Sequence, residues 1–360
     1  MSGILYYFKQ RKDYTGPIAG IAMIIIALST VPCVKRKQYE FFYLTHITMF
    51  LLIMIALGMH RPKFADSTII ITIFIACMWI YDRVLRAGKL CFNFYGNYAT
   101  ITPLPDNAVR VQLSRRAFAR PGSHAFLWVP AIRWIETHPF TMTSTDPIQF
   151  VIRVQDGFTR DLYKAAQSAP GRSLRCSVDG GYGRIANFSD AEKVILVAGG
   201  SGASFTFAVA LDLIRKTANK QATTSIDFIW AVQSSESLDW FADELMQLEA
   251  NPVVNLIIHV TRGPSISPKL SPELHSADLE KGATENIGER SPIKLLGIRE
   301  GRPDISNLIG SAVASIGSNA RIMVGACGPS MMVDQTRKAV SENMSENGPL
   351  MALYTEEFNW

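Results

Sequence analysis

The chain has 360 residues, 48% of them hydrophobic, and a formal net charge of +5. That length holds two or three domains, and the small positive charge, with no basic run interleaved with aromatics, offers nothing for a nucleic-acid binder and slightly favours an anionic membrane surface. The five cysteines (Cys33, Cys77, Cys91, Cys176 and Cys327) are scattered and contain no CxxC pair, so neither a disulfide framework nor a zinc site is suggested.

The apolar excess is concentrated ahead of about Leu90, which predicts membrane helices followed by a soluble part. Thr15 to Val31 and Phe41 to Met59 are apolar runs close to the ~20 residues needed to cross a bilayer. A third run, Ile69 to Ile80, reaches spanning length only with its polar flanks. Successive apolar runs without a small-residue cleavage site argue against a signal peptide. Lys35, Arg36 and Lys37 lie between the first two runs, and Arg83, Arg86 and Lys89 follow the third, so three spans place both clusters on the cytosolic side. Lys9, Arg11 and Lys12 then face outward, against that rule. His46 and His60 belong to the second run. At 100° per residue they return to within about 40° of one face, about 21 Å apart. An ionisable group inside a span is a functional candidate. Two on one stripe suit axial imidazoles for two stacked haems, or else His60 is an interfacial residue and His46 a hydrogen-bonding one.

From about Leu90 short β-rich runs appear (FNFYGNYATITPL, NAVRVQLSR, HAFLWVPAI, FVIRVQD), separated by Pro, Gly and Asp, as in a small antiparallel barrel. From about Glu192, KVILVAGG, SIDFIWAV, VVNLIIHVT and ARIMVGACG read as buried strands with helical connections, hence a parallel α/β sheet. Residues 263–293, rich in Ser, Pro, Glu and Gly, read as a long mobile surface insertion.

The motifs fall at the ends of these runs. His138-Pro139-Phe140-Thr141 closes a strand of the barrel: either the Thr141 hydroxyl could bond a flavin ring edge with Phe140 over the ring, or this is an ordinary strand end with a turn. Downstream, Arg153 precedes Gly157-Phe158-Thr159. A guanidinium suits a pyrophosphate because it bonds two oxygens at once, and a helix starting near Thr159 adds backbone N–H donors. Gly199, Gly200, Ser201 and Gly202 follow a strand and open a helix, where glycines let backbone approach a phosphate. Cys327, Gly328 and Pro329 also follow a strand, whose carboxyl end would face the ligand crevice. Cys327 is then either near the cofactor or an ordinary buried cysteine. The chain ends in Phe358, Asn359 and Trp360, either frayed or stacked on a flavin and yielding to nicotinamide.

Taken together, HPFT, the RVQDGFT that follows it, GGSG, the GRP at 301–303, CGP and the terminal EEFNW resemble the ferric reductase and NADPH oxidase family, nearest its fungal ferric-chelate reductase branch. The resemblance implies a multi-domain protein. Transmembrane helices (1–88) would precede an antiparallel β-barrel FAD domain (89–188) and an α/β Rossmann-like NADPH domain (189–360), the last two ferredoxin-reductase-like. It implies FAD contacts at His138, Pro139, Phe140, Thr141, Arg153, Phe158 and Thr159. It implies nicotinamide dinucleotide contacts at Gly199, Gly200, Ser201, Gly202, Cys327, Gly328 and Pro329, with Arg302 on the adenosine 2′-phosphate and Phe358 and Trp360 at the flavin. Thr141 would orient the isoalloxazine, Cys327 would lie near nicotinamide C4 and Trp360 would gate the stack. His46 and His60 would be ligands of haem b. Three features depart from the family pattern. No helix bearing a first histidine pair is seen, so half the axial ligands are lacking; Gly181 replaces a proline, loosening its loop; and Gln233 stands where many relatives carry an arginine.

The function implied is a flavin metalloreductase of the plasma membrane, multi-pass, with its nucleotide domains cytosolic. Hydride would pass from NADPH to FAD, and electrons would leave singly, through haem in an intact relative, to a ferric or cupric chelate. The chain would act as a homo-oligomer or beside a full-length relative. The alternatives are a superoxide-generating NADPH oxidase of the same family, and a haem-free shortened flavin reductase or non-catalytic partner.

Overall fold

The computed structural model describes residues 2–37, 39–60, 67–134, 136–217, 223–262, 298–345 and 348–356. The insertion expected at 263–293 and the terminal Phe358 and Trp360 lie outside the described residues. The chain divides into two compact units, Met1–Lys89 and Leu90–Trp360.

In the first unit, α1 (Ser2–Ser29), the short α2 (Pro32–Lys37) and α3 (Tyr39–His60) precede α4 (Ser67–Phe94). Helix α1 packs along α3 through small residues: Ala19, Ala22 and Ala56 are buried. Small side chains let helix backbones approach where lipid gives no hydrophobic drive. Among the described residues one stretch, Phe41–His60, is long and apolar enough to cross a membrane; Tyr14–Ser29 is a shorter apolar helix. The third expected run behaves differently. Helix α4 continues past Ile80 into an ion-paired segment, in which Asp82 meets Arg83 at 2.9 Å and Arg86 at 3.1 Å. The apolar run therefore continues, within one helix, into the charged flank that it needs to reach spanning length.

Helix α4 also runs through Phe94, so FNFYG, expected to be extended, is largely helical. The cause is tertiary. Ser177 donates to the Leu90 carbonyl at 2.7 Å, Asn93 donates to the Val178 carbonyl at 2.7 Å, and Arg115 donates to the Tyr95 carbonyl.

The following region holds β1 (Tyr98–Leu104), β2 (Ala108–Leu113), β3 (His124–Trp128), β4 (His138–Thr141), β5 (Ser144–Thr145), β6 (Ile148–Arg153), α5 (Phe158–Ser168), β7 (Arg172–Arg175) and β8 (Ser177–Tyr182). They form two antiparallel sheets, ordered β5-β6-β2-β1-β7 and β4-β3-β8. Alternating side chains of both, among them Ile101, Val111, Leu127 and Phe150, fill one core, which α5 closes with Leu162 and Ala166.

Then come β9 (Lys193–Gly199), α6 (Ala203–Thr217), β10 (Ser225–Val232), α7 (Ala242–Glu249), β11 (Val254–Val260), β12 (Ile298–Glu300), α8 (Ile305–Ala314), β13 (Arg321–Cys327), α9 (Ser330–Asn343) and β14 (Leu350–Glu356). The strands make one parallel sheet, β12-β11-β10-β9-β13-β14. Every residue of β9 is buried, as expected for a strand covered on both faces. Its one charge, Lys193, is paired with Asp227 at 2.9 Å, and Ser225, Ser315 and Asn255 bond the same pair. The sheet runs from β9 outward to β12 on one side, then restarts with β13 on the other, so its topological switch point lies between β9 and β13.

The β1–β2 hairpin docks on the α7 side of this sheet. Arg110 holds Glu244 with two bonds of 3.1 Å and donates to the Trp240 carbonyl at 2.6 Å. The Trp240 indole donates to Pro105 O at 2.8 Å, and Ser237 donates to Asp106.

Candidate functional site

Strand β4 is the HPFT motif itself, paired with β3 so that Thr141 lies opposite His124. The Thr141 hydroxyl is fully buried and has no hydrogen-bond partner among the described residues. Its neighbour Thr143 is equally buried but donates to the Gln149 carbonyl at 3.0 Å. Buried hydroxyls are normally paired, so Thr141 fits a polar ligand edge. Phe140 is half-buried, its ring centroid 6.2 Å from Phe158. His138 stacks on Phe158 at 4.4 Å and bonds Glu136 at 3.1 Å.

Two residues expected at the cofactor have other work. Phe158 is 2% exposed and belongs to the barrel core, which leaves its backbone rather than its ring to meet a ligand. The Thr159 hydroxyl closes the preceding loop, donating to Gln155 O at 2.9 Å and accepting from Gln155 N at 2.8 Å. The helix start predicted there is present, since α5 begins at Phe158. Just ahead of it, at the end of β6, Arg153 is exposed and in no ion pair among the described residues. Asp161, in the first turn of α5, is already neutralised by Arg133 at 2.8 Å. The orphaned Thr141 hydroxyl, the unpaired Arg153 and the α5 N-terminus fit a flavin dinucleotide. The loop at Gly181 is braced by Tyr182, whose hydroxyl donates to Asp179 at 2.9 Å.

At the switch point the two glycine motifs meet. A Cβ on Gly202 would come 2.3 Å from the Cys327 carbonyl oxygen, and one on Gly328 would come 2.8 Å from Gly199 N. The backbones of GGSG and CGP are thus in direct apposition, and only glycine permits it. The Gly200 carbonyl is tied down by the Trp230 indole at 3.1 Å. Half-exposed Gly200 and Ser201 then lead into the N-terminus of α6. Such a turn at a helix N-terminus could take a phosphate. Pro329 packs on Gly199.

Cys327 is 1% exposed, with Glu356 opposite it on β14. Burial and then the Glu356 charge push its thiol pKa well above the ordinary value. It is a buried thiol that keeps its proton. Tyr354, stacked on Phe205 at 5.5 Å, donates to Glu356 at 2.7 Å. The chain therefore leaves β14 beside the switch point.

At the far carboxyl edge, Arg302 follows β12 and is exposed. Arg262, which the motifs did not single out, is exposed too, and its N–H bonds the Gln233 carbonyl at 2.9 Å. Its signal was only a basic residue directly after a buried strand.

In the first unit, His60 Nδ1 lies 3.2 Å from Thr15 Oγ1, and its ring lies against Gly16. His46 packs against Phe42, and its buried Nδ1 has no partner among the described residues. Residues 1–89 contain these two histidines and no others. Two imidazoles could give each of two haems one axial ligand and not the pair that bis-histidine ligation requires, so on their own they do not fit the group.

An antiparallel barrel with an orphaned ring-edge hydroxyl, joined to a parallel sheet with glycine turns at its switch point, defines a flavin and pyridine-nucleotide oxidoreductase module. Residues 93–186 match the family described as FAD-binding domain, and residues 191–341 match the ferric reductase NAD binding domain. Two family models thus match successive parts of the second unit, and the one matching the nucleotide-binding part is that of ferric reductases. The chain is 28% identical to ferric/cupric reductase transmembrane component 1 of Candida albicans over 94% of this chain and 46% of that protein. It is 27% identical to ferric reductase transmembrane component 5 of Saccharomyces cerevisiae over 98% of this chain and 51% of that protein. A probable cell surface ferric reductase of Aspergillus oryzae is 29% identical over 68% of this chain and 36% of its own length. The chain spans about half the length, or less, of these relatives. A solved ferredoxin NADP+ reductase from Neisseria gonorrhoeae is similar at a TM-score of 0.48 and 14% identity, over 72% of this chain and 97% of that one.

Proposed function

We propose that this chain is the electron-input part of a membrane-bound, NADPH-dependent flavin metalloreductase whose final acceptor is a ferric or cupric chelate. The observation that carries the reading is the buried, unpartnered Thr141 hydroxyl in a domain of the FAD-binding family. Thr141 orients the flavin ring, with His138, Pro139 and Phe140 lining it. Arg153 and the N-terminus of α5, at Phe158 and Thr159, hold the pyrophosphate. Gly199, Gly200, Ser201 and Gly202, with Cys327, Gly328 and Pro329, take the nicotinamide dinucleotide at the switch point. Arg302 meets the adenosine 2′-phosphate. When bound, the flavin accepts a hydride and releases electrons singly. No proton-transfer side chain is needed, so this chain's residues act by positioning. The buried Cys327 packs the floor on which nicotinamide would lie.

The apolar helix Phe41–His60, and the similarity to transmembrane components of ferric reductases, support a membrane setting. The test is NADPH-driven reduction of a ferric chelate by the full chain loaded with FAD in detergent. Activity is expected, and Arg302→Ala should raise the KM for NADPH far more than that for NADH. Flavin that NADPH cannot bleach would overturn the reading. Ferric-free, superoxide-dismutase-sensitive dye reduction would favour the oxidase instead.

A further inference from the structure

His259 was not singled out by any motif, yet it is the one buried histidine in the nucleotide-binding sheet among the described residues. It lies one residue before the end of β11 and is 6% exposed. Its Nδ1 is 3.2 Å from the Gly301 carbonyl oxygen. A carbonyl only accepts, so Nδ1 must carry the proton. Nε2 is then a bare lone pair, buried and without a partner among the described residues. Burial pulls the imidazole pKa below its ordinary value, the Gly301 bond opposes this, and the Arg299 charge adds to it. The ring is therefore neutral, in one tautomer, with its single N–H spent on Gly301.

The turn it holds is tied on both sides. Gly301 N–H donates to the Val260 carbonyl at 3.0 Å, so consecutive residues of β11 grip both polar groups of Gly301. Gly301 has φ +86°, a backbone state that favours glycine. Three residues on, Asp304 caps α8 by accepting from Asn307 N–H at 3.1 Å. Arg302 is presented between these two anchors, exposed and in no ion pair among the described residues.

We propose that His259 is a positioning residue for nucleotide selection: by holding the Gly301 carbonyl, it sets the turn that aims the Arg302 guanidinium at the phosphate of the adenosine end. This rests on the reading of Arg302 given above, and a double-mutant cycle separates the two. The full chain with FAD is assayed in detergent with ferricyanide as acceptor and NADPH or NADH as donor. His259→Ala is expected to raise the KM for NADPH about 3- to 10-fold, the range of one lost hydrogen bond, with kcat and the KM for NADH unchanged. His259→Asn, whose amide N–H falls near the place of Nδ1–H, should return the KM to within about twofold. In an Arg302→Ala background, His259→Ala should add nothing, because its effect acts through Arg302. If His259→Ala does not fold, His259→Gln, which puts its donor nearer the Nε2 position, carries the same comparison. Equal rises for both nucleotides, or an effect additive with Arg302→Ala, would overturn the role of His259 alone. An Arg302→Ala protein that still treats NADPH and NADH as the parent does would overturn both readings.

Discussion

Replacing Thr141 with valine should move two measurements in opposite directions. The residue is 7% exposed, and its hydroxyl is buried without a partner among the described residues. An unpaired buried hydroxyl costs about 1–3 kcal/mol. Valine keeps the branched shape that suits a strand and removes the polar atom. The FAD-free protein should therefore gain about 1 kcal/mol, a rise in Tm of about 2–4 °C for a domain pair of this size. The loaded protein loses one neutral hydrogen bond, about 1 kcal/mol, so set against the FAD-free gain the binding of FAD weakens by about 2 kcal/mol, roughly 30-fold. Thermal unfolding with and without FAD, together with a flavin-fluorescence titration, reads both. Thr143→Val is the control. Its hydroxyl is satisfied by Gln149, so it should lower Tm whether or not FAD is present. If Thr141→Val lowers Tm equally in both states and leaves FAD affinity intact, the hydroxyl is structural and the flavin assignment of β4 fails.

Arg153→Met should weaken FAD at least tenfold at low salt, with the gap narrowing as salt rises, and leave the FAD-free Tm within about 1 °C, because the guanidinium is exposed and unpaired. A clear Tm loss without FAD would show a structural role instead. Gly202→Ala should lower Tm by several degrees and raise the KM for both nucleotides, because the new methyl meets backbone rather than a flexible side chain, 2.3 Å from the Cys327 carbonyl oxygen; an unchanged KM would refute the apposition. Alkaline stability should depend on Cys176, whose thiol burial pushes up from 9.0 to about 12, only partly offset by Arg115. The folded state keeps this proton where the unfolded chain has lost it. Its contribution is therefore whole below pH 9 and is lost as pH rises towards 12, by up to about 1.4 kcal/mol per unit. Urea unfolding at pH 8 and 10.5 should show a smaller fall for Cys176→Ala than for the parent. Cys327 and Tyr354, both shifted upward, leave a residual slope of the same sign. Equal falls would refute the assignment to Cys176.

The parts legible in the sequence are those whose chemistry and geometry share a few consecutive residues. HPFT is one strand and GGSG one strand-to-helix turn, so Thr141 and Gly202 could be named without the fold. What makes each informative could not be read. The isolation of the Thr141 hydroxyl depends on everything around it, and the contact between Gly202 and Cys327 spans 125 positions and follows from β13 lying beside β9. The aromatic run before Gly96 has strand propensity, but bonds from Ser177 and Asn93 extend α4 through it; tertiary contacts decided what propensity could not. His259 was invisible for the same reason. In IIHVT a histidine reads as a core residue, and its partner Gly301 lies 42 positions away.

The interface between barrel and sheet bears on the chemistry as directly as the site residues do. Hydride transfer depends on reacting atoms held about 3–3.5 Å apart, and here the two partners would be held by different domains. Arg110 fixes that separation with a bidentate pair whose side chains are 17% and 9% exposed, joined by the Trp240 indole on Pro105. A pair so shielded gains little over an apolar contact of the same shape, while loss of one partner strands a buried charge. Its value lies in geometry, because the fork of Arg110 meets Glu244 and the Trp240 carbonyl in one orientation only. Ser204, in the first turn of α6, donates to the Val151 carbonyl of β6 at 3.3 Å and ties the helix after GGSG to the strand that ends in Arg153. The flavin-side and nucleotide-side elements are therefore linked through two short bonded routes, and a catalyst that works by positioning needs that rigidity more than it needs a reactive side chain.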